Sequence, residues 1–303
     1  MAPGNDRGAL LAMAGGASLI SLTGVLVRYA DVPPTVAAFW RMAFGGAMLA
    51  LVLLALRRWR HVPPRAWLFC LWPALAFAAD LWLWHRSIHA IGPGLATLLA
   101  NTQVFFMVAA GVLFFGERLH VRFALGVALA FGGLVLILGD GWSALAAESK
   151  IGVWLGLATG VAYAAYNLGL KRAQREAVQA AEPILVVSTL QCAVLLGLAA
   201  LAEGVPFAIP DARSLAALLA LGLIGQCLGW VLIGRALPRL RVATVGLLLL
   251  LQPLLAFVLD VLLFARPTAA HEWFGVALTL AGIFLAGSRP PPTAQGATAT
   301  SQT

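Results

Sequence analysis

Charge is what this sequence lacks most. Only 11% of its 303 residues are Asp, Glu, Lys or Arg, against 61% apolar residues, whereas a soluble domain uses about 25% charged residues to cover its surface. With a mean hydropathy of +0.92, a chain of this kind is solvated mostly by lipid. Cysteine is scarce too: Cys70, Cys192 and Cys227 all fall inside apolar runs, without metal-ligand spacing, and read as buried thiols. That excludes a disulfide scaffold and a zinc site. The sequence also has no P-loop, no GxGxxG and no acidic metal cluster. His85 and His89 are four apart on a helix but have no acidic third ligand nearby. The chain is therefore expected to hold no cofactor and no metal, and to be no enzyme. The net charge of +8 comes from short basic clusters between apolar runs, which fits membrane topology rather than nucleic-acid binding.

What is present is a succession of long apolar runs rich in Leu and Ala, without the period-two alternation of barrel strands. A membrane helix needs roughly 20 mostly apolar residues. Ten candidates follow, at about 8–30, 35–56, 66–89, 94–116, 121–139, 151–170, 182–203, 214–236, 243–264 and 271–288. The first run carries an acidic residue before it and continues to about Ala30, so it reads as an uncleaved span, not a leader. Residues 1–7 precede the spans, and the Pro-, Thr- and Ala-rich tail 289–303 reads as disordered. With the N-terminus inside, fourteen basic residues fall on the inner side and five on the outer, leaving Arg41 within a span. Basic residues prefer the cytoplasmic side, so both termini are expected there.

The chain also repeats itself. LGVALAFGG at Leu125–Gly133 returns as FGVALTLAG at Phe274–Gly282, 149 residues later. At that offset Gly126 falls on Gly275, Gly133 on Gly282, Arg86 on Arg235, Gln103 on Gln252 and Pro34 on Pro183. A shift to 144 aligns Gly8, Leu11 and Gly16 with Gly152, Leu155 and Gly160. Two halves of five spans, 8–139 and 151–288, follow. An odd number of spans turns the second half upside down relative to the first, as in many secondary transporters. The expected fold is an all-α integral membrane protein of ten transmembrane helices arranged as two inverted five-helix repeats.

These features resemble the EamA-type branch of the drug/metabolite transporter superfamily, over about 8–288. The resemblance is carried by Arg41 in FWRMAFGG and by IGPGLATLLANTQVFF running into GERLHVRFALGVALAFGGL. The second half repeats it as RVATVGLLLLLQPLLAFVLD and HEWFGVALTLAGIFLAG. The family usually has Pro in the fourth span where this chain has Gln103, while Pro253 is kept in the ninth; Gly116-Glu117-Arg118 is replaced in the second half by Ala265-Arg266-Pro267. The resemblance implies an alternating-access carrier whose relatives move amino acids, drugs, sugars or lipids.

Polar groups inside spans cost about 2.5–3.5 kcal/mol for a central Asp or Arg, so each needs a partner, water or a function. Asp80 and Arg41 have similar expected depths, which permits a salt bridge between them. Either the two hold helices together, or one meets substrate, or Asp80 carries a proton. Asn101, Gln103 and Gln252 offer amides to a zwitterion or to neighbouring helices. Tyr163 and Tyr166 share a helix face, with Asn167 beside them, and Gln226 and Trp230 are four apart. Trp59, Trp67, Trp142 and Trp273 read as interface anchors, and Trp40, Trp82, Trp84 and Trp230 as deeper; Asp80, Trp84 and Ser87 share one helix face. The candidate substrate-binding set is therefore Trp40, Arg41, Asp80, Trp84, Asn101, Gln103, Tyr163, Tyr166, Asn167, Gln226, Trp230 and Gln252. The stretch from Arg86 to Gly94 is expected to close the outer side, and Arg235 to Ala243 the inner.

The expected activity is export of small amphipathic metabolites across the inner membrane, with amino acids, aromatic ones included, as the leading substrate class. A drug or lipid-linked sugar carrier is the alternative. Proton coupling and downhill transport are both compatible with the sequence, as are a monomer and a homodimer.

Overall fold

The computed structural model describes the chain apart from residues 1–6, 60–61, 116–120, 139–141, 144, 177–180, 237–238, 241 and 288–303. Gly116-Glu117-Arg118 and the tail 289–303 lie outside the described residues. All regular elements of the chain among the described residues are helical. Its elements are α1 Arg7–Tyr29, α2 Pro34–Ala55, α3 Pro64–Ile91, α4 Pro93–Ala100, α5 Gln103–Phe115, α6 Val121–Leu138 and α7 Ala147–Glu176. There follow α8 Ala181–Ala202, α9 Ala212–Gly222, a π segment Leu223–Leu228, α10 Gly229–Ala236, α11 Val242–Leu249, α12 Leu251–Phe264 and α13 Ala270–Gly287. Among the described residues, nine helical stretches are long and apolar enough to cross a bilayer, and Ala270–Ala286 is a shorter apolar helix.

Local chemistry explains the boundaries. Pro34, Pro64 and Pro93 open α2, α3 and α4, where the missing N–H is no loss. Gly92, at φ +85°, turns the chain between α3 and α4. Asp211 caps α9, its Oδ1 accepting from the Ser214 N–H at 2.7 Å.

Three expected spans are not continuous α-helices. The fourth breaks between α4 and α5, where the Asn101 amide donates to the Thr97 carbonyl and the Thr102 hydroxyl to the Leu99 carbonyl. Those carbonyls are thereby engaged by side chains, which competes with the regular ladder. The ninth breaks at Leu250, three residues before Pro253, which cannot donate into the turn. Counting 149 residues on from α4, Pro93–Ala100, gives 242–249, the span of α11. The eighth span passes through the π segment, directly after Gly222, the counterpart of the in-helix Pro73 of α3.

The echoed segments meet. Gly126 lies against Gly282, and Gly133 against Gly275. A Cβ on Gly282 would sit 2.5 Å from the Gly126 carbonyl oxygen, and one on Gly275 2.7 Å from that of Gly133. Thr279 Oγ1 lies 2.8 Å from the Gly275 carbonyl and 3.4 Å from that of Ala130. α6 and α13 therefore run antiparallel, backbone to backbone. Small residues permit this approach, and dispersion rather than the hydrophobic effect holds it in lipid. The other helices also pair across the chain's two halves: α3 with α7, α2 with α8, α1 with α9 and α10, and α4 with α12.

Candidate functional site

The largest apolar cluster lies where α2, α3, α7, α8 and α9 converge, and it includes Met42, Phe77, Trp84, Tyr166 and Leu196. Two charges are set into it. Arg41 of α2 and Asp80 of α3 are each only 6% exposed. The Arg41 guanidinium lies 5.4 Å from the centroid of the Trp84 ring. Asp80, Tyr163, Tyr166 and Cys192 are all within electrostatic range of it.

The Arg41–Asp80 salt bridge that the sequence permits is not made. The described ion pairs are Arg86–Glu203 and Arg266–Glu272, and Arg41 Nε and Nη1 are buried without a hydrogen-bond partner among the described residues. Both charges come from helices of one half, and each lies within the other's electrostatic range without forming an ion pair. Opposite them is the π segment. A Cβ on Gly225 would lie 3.5 Å from Arg41 Nη2 and 2.9 Å from the Thr23 methyl. Gln226, 1% exposed, donates Nε2–H to Thr189 Oγ1 at 3.2 Å, and its Oε1 is buried without a partner.

The remaining expected residues divide. Tyr166 stacks on Phe77 at 4.2 Å between centroids and on Tyr163 at 6.1 Å, forming one aromatic wall. Asn167 donates to the Gln103 Oε1 at 2.9 Å and to the Tyr163 carbonyl, so these two amides join α5 to α7. Asn101 is committed to its own helix end. Gln252 is half-buried in the first turn of α12. Trp40 packs against the central cluster; its indole N–H donates to the Phe207 carbonyl at 3.2 Å, in the α8–α9 connection, while its ring stacks on Phe44. Trp230 lies on α10, and its side chain falls outside the described residues.

One end of the bundle is held shut by contacts between the halves. The Arg86 Nη2 donates to Glu203 Oε1 at 2.7 Å and to Thr35 Oγ1 at 2.9 Å. Thr35 and the Trp82 indole also donate to Glu203, each at 2.7 Å, and the Arg86 guanidinium sits 3.8 Å over the Trp82 ring. Nearby, the Gly94 N–H donates to Asp260 Oδ2 at 3.1 Å, and the Asp31 N–H to Ser214 Oγ. The corresponding stretch Arg235 to Ala243 is only partly described; the Arg235 side chain and residues 237, 238 and 241 lie outside the described residues.

Glu203 and Asp260 were missed by the sequence reading. Asp260, 1% exposed, carried the same signal as Asp80, an acid inside an apolar run. Glu203 gave none, because an acid at a helix end is ordinary. A groove of about 210 Å³ between α3 and α8, lined by Trp67, Leu71, Leu190, Gln191, Val194 and Leu195, is almost wholly apolar and lies apart from Arg41.

Comparison with known proteins fits this arrangement. A "Probable amino-acid metabolite efflux pump" of Escherichia coli is 24% identical over 218 residues, covering 70% of this chain and 73% of that protein. "Protein RarD" of Streptomyces exfoliatus is 29% identical over 258 residues, covering 81% and 76%. One solved crystal structure overlays with a TM-score of 0.64 at 21% identity, over 92% of this chain and 97% of that one, and speaks for the fold alone. The profile of the EamA-like transporter family matches twice, at residues 7–139 and 150–288. With nearly the whole chain taken up by those two matches, this protein belongs to the EamA-like transporter family.

Proposed function

We propose that this protein exports small amphipathic metabolites, with amino acids as the leading class, across the inner membrane by alternating access. In this reading the halves 8–139 and 151–288 cross the bilayer in opposite senses, and both termini face the cytoplasm. The observation that carries it is the pair of buried, unbridged charges, Arg41 and Asp80, inside an aromatic cluster shared by helices of both halves. A buried charge without a partner costs several kcal/mol unless something else compensates it. A transported zwitterion supplies that compensation and keeps its own charges out of lipid.

Support for the inverted threading comes from the antiparallel α6–α13 seam and the matched breaks of the fourth and ninth spans. Support for an outward gate comes from the Arg86–Glu203 cluster, which in this orientation lies on the outer face. Support for amino acids comes from the relatives named as amino-acid metabolite efflux pumps.

The test is counterflow in liposomes containing only this protein, preloaded with a panel of amino acids and cationic drugs. Labelled amino acid should accumulate against its own unlabelled pool. Accumulation of cationic drugs alone would move the assignment to the drug-carrying branch.

A further inference from the structure

We propose that Arg41 anchors the carboxylate of the transported molecule and Asp80 its ammonium group, so that the site reads α-amino acids at two points. The inference rests on the amino-acid reading above and names how the same site recognises its substrate.

The first observation is the state of Arg41. A guanidinium carries five N–H donors in a rigid plane. Here Nε and Nη1, donors on two different edges of that plane, are buried and unpartnered among the described residues. The Trp84 ring, 5.4 Å from Cζ, packs against the guanidinium and limits its motion. Planar, oriented guanidinium is the side chain best matched to a carboxylate, because two parallel N–H···O bonds form at once.

The second observation is what packs beside it. The π segment approaches Arg41 through Gly225, where a Cβ would lie 3.5 Å from Nη2 and 2.9 Å from the Thr23 methyl, so the approach is close and bears no side chain. A π turn inserts an extra residue into a helix and often marks a functional position. The next residue, Gln226, keeps its Oε1 buried and unpartnered. The second half thus meets Arg41 with buried π-segment backbone, next in sequence to an unpartnered acceptor, and the segment Leu223–Leu228 carries no acidic side chain.

The third observation is asymmetry. The positions 149 residues after Arg41 and Asp80 are Leu190 and Gly229. The charges belong to one half only, on helices α2 and α3, and no ion pair within 4 Å joins them. A zwitterion can engage both, one with each end. A carrier whose anchor lies wholly within one half can keep its grip while the other half, carrying Gly225, Cys192 and the Tyr163–Tyr166 wall, moves past.

The test uses the full-length protein in liposomes, exchanging labelled phenylalanine. Competitors are phenylalanine, phenylalaninamide, which lacks the carboxylate, and 3-phenylpropionate, which lacks the amine. In the wild type, each analogue should compete about tenfold or more weakly than the amino acid, since one charged hydrogen-bonding group is lost in each case. Arg41→Gln should collapse the preference for acid over amide to within about twofold, and Asp80→Asn should collapse the preference for phenylalanine over phenylpropionate. Arg41→Lys, which keeps the charge but not the fork, should fall between. These are ratios within one protein, so partial loss of folded carrier does not move them, and the wild-type series stands even if a variant does not assemble. If the amide competes as well as the acid while amino acids are exchanged, the anchor is wrong and the amino-acid reading survives. If Arg41→Gln keeps the wild-type preference, the assignment to Arg41 is wrong. If no amino acid is exchanged but cationic drugs are, the amino-acid reading fails and the anchor fails with it.

Discussion

The first and second halves of this chain agree where they build scaffold and disagree where they hold charge. Gly126 and Gly133 on α6 have the same task as Gly275 and Gly282 on α13, and each glycine lies against the partner helix's backbone. The fourth and ninth spans break at the same place, though by different chemistry: side-chain bonds from Asn101 and Thr102 in one, Pro253 in the other. At the centre the likeness ends. Arg41 and Asp80 face Leu190 and Gly229 in the alignment of the halves, and the in-helix Pro73 faces the start of a π segment. A pseudo-symmetric frame makes two exchanged conformations close in energy. In the proposed reading the asymmetric residues decide what is carried between them.

The seam offers the strongest way to test the symmetric part. Gly133 and Gly282 are each overlapped by partner backbone, whereas the neighbour Gly132 has nothing closer than a leucine methyl at 3.8 Å. Gly133→Leu and Gly282→Leu should each destabilise the protein by about 1–3 kcal/mol or prevent assembly, to similar degrees, while Gly132→Ala should be tolerated. Melting in detergent, followed by tryptophan fluorescence, reports this. Unequal losses at Gly133 and Gly282 would show that the two sides of the seam are not equivalent. The asymmetric part predicts the opposite outcome at equivalent positions. Arg41→Gln should reduce exchange of an amino acid by about tenfold to a hundredfold, the loss expected for a charged hydrogen-bonding group. Leu190→Gln, on the apolar groove, should leave exchange within about twofold of wild type. Equal effects at Arg41 and Leu190 would remove the charge asymmetry from the mechanism.

Most of this architecture was legible because membrane helices announce themselves by length and apolarity. The ten expected runs lie within a few residues of the observed helices, and the seam glycines stood out as a repeated phrase. The breaks were less legible. Asn101 and Thr102 interrupt the fourth span through bonds to carbonyls three and four residues back, and the same residue types sit harmlessly in many helices. The π segment has no sequence signature, since Leu223–Leu228 reads as ordinary apolar helix. At the site, burial of Arg41 and Asp80 followed from the cost of charge in a span. Their failure to pair did not, because sequence spacing gives depth but not which way a side chain turns. The partner of Trp40 was hidden for the same reason: its place in an apolar run gave no sign that its indole N–H would find the Phe207 carbonyl.

The smallest expected effect belongs to the Glu203 gate, where the halves meet through one carboxylate. Partial burial pushes the Glu203 carboxyl up, but hydrogen bonds from Thr35 and Trp82 and the charge of Arg86 outweigh it and hold the carboxyl below its usual range. A carboxyl lowered in the closed form contributes to closure at every pH above its ordinary value, about 4.3. That contribution is lost as the pH falls through the lowered value, so acid weakens closure and neutral pH favours it. Because Glu203 and Arg86 are partly exposed, at 28% and 24% of their side chains, the pair is worth only about 0.2–1 kcal/mol. Spin labels at His89 and Ala208, one on each side of the gate, should therefore report a modest gain of the wider distance in Glu203→Gln at neutral pH. Wild type should approach the same distribution only in strong acid, and the variant should be indifferent to that change. A wild-type distribution that does not respond to acid would place the closing force elsewhere on this face, with Asp260 at the Gly94 N–H as the next contact to remove.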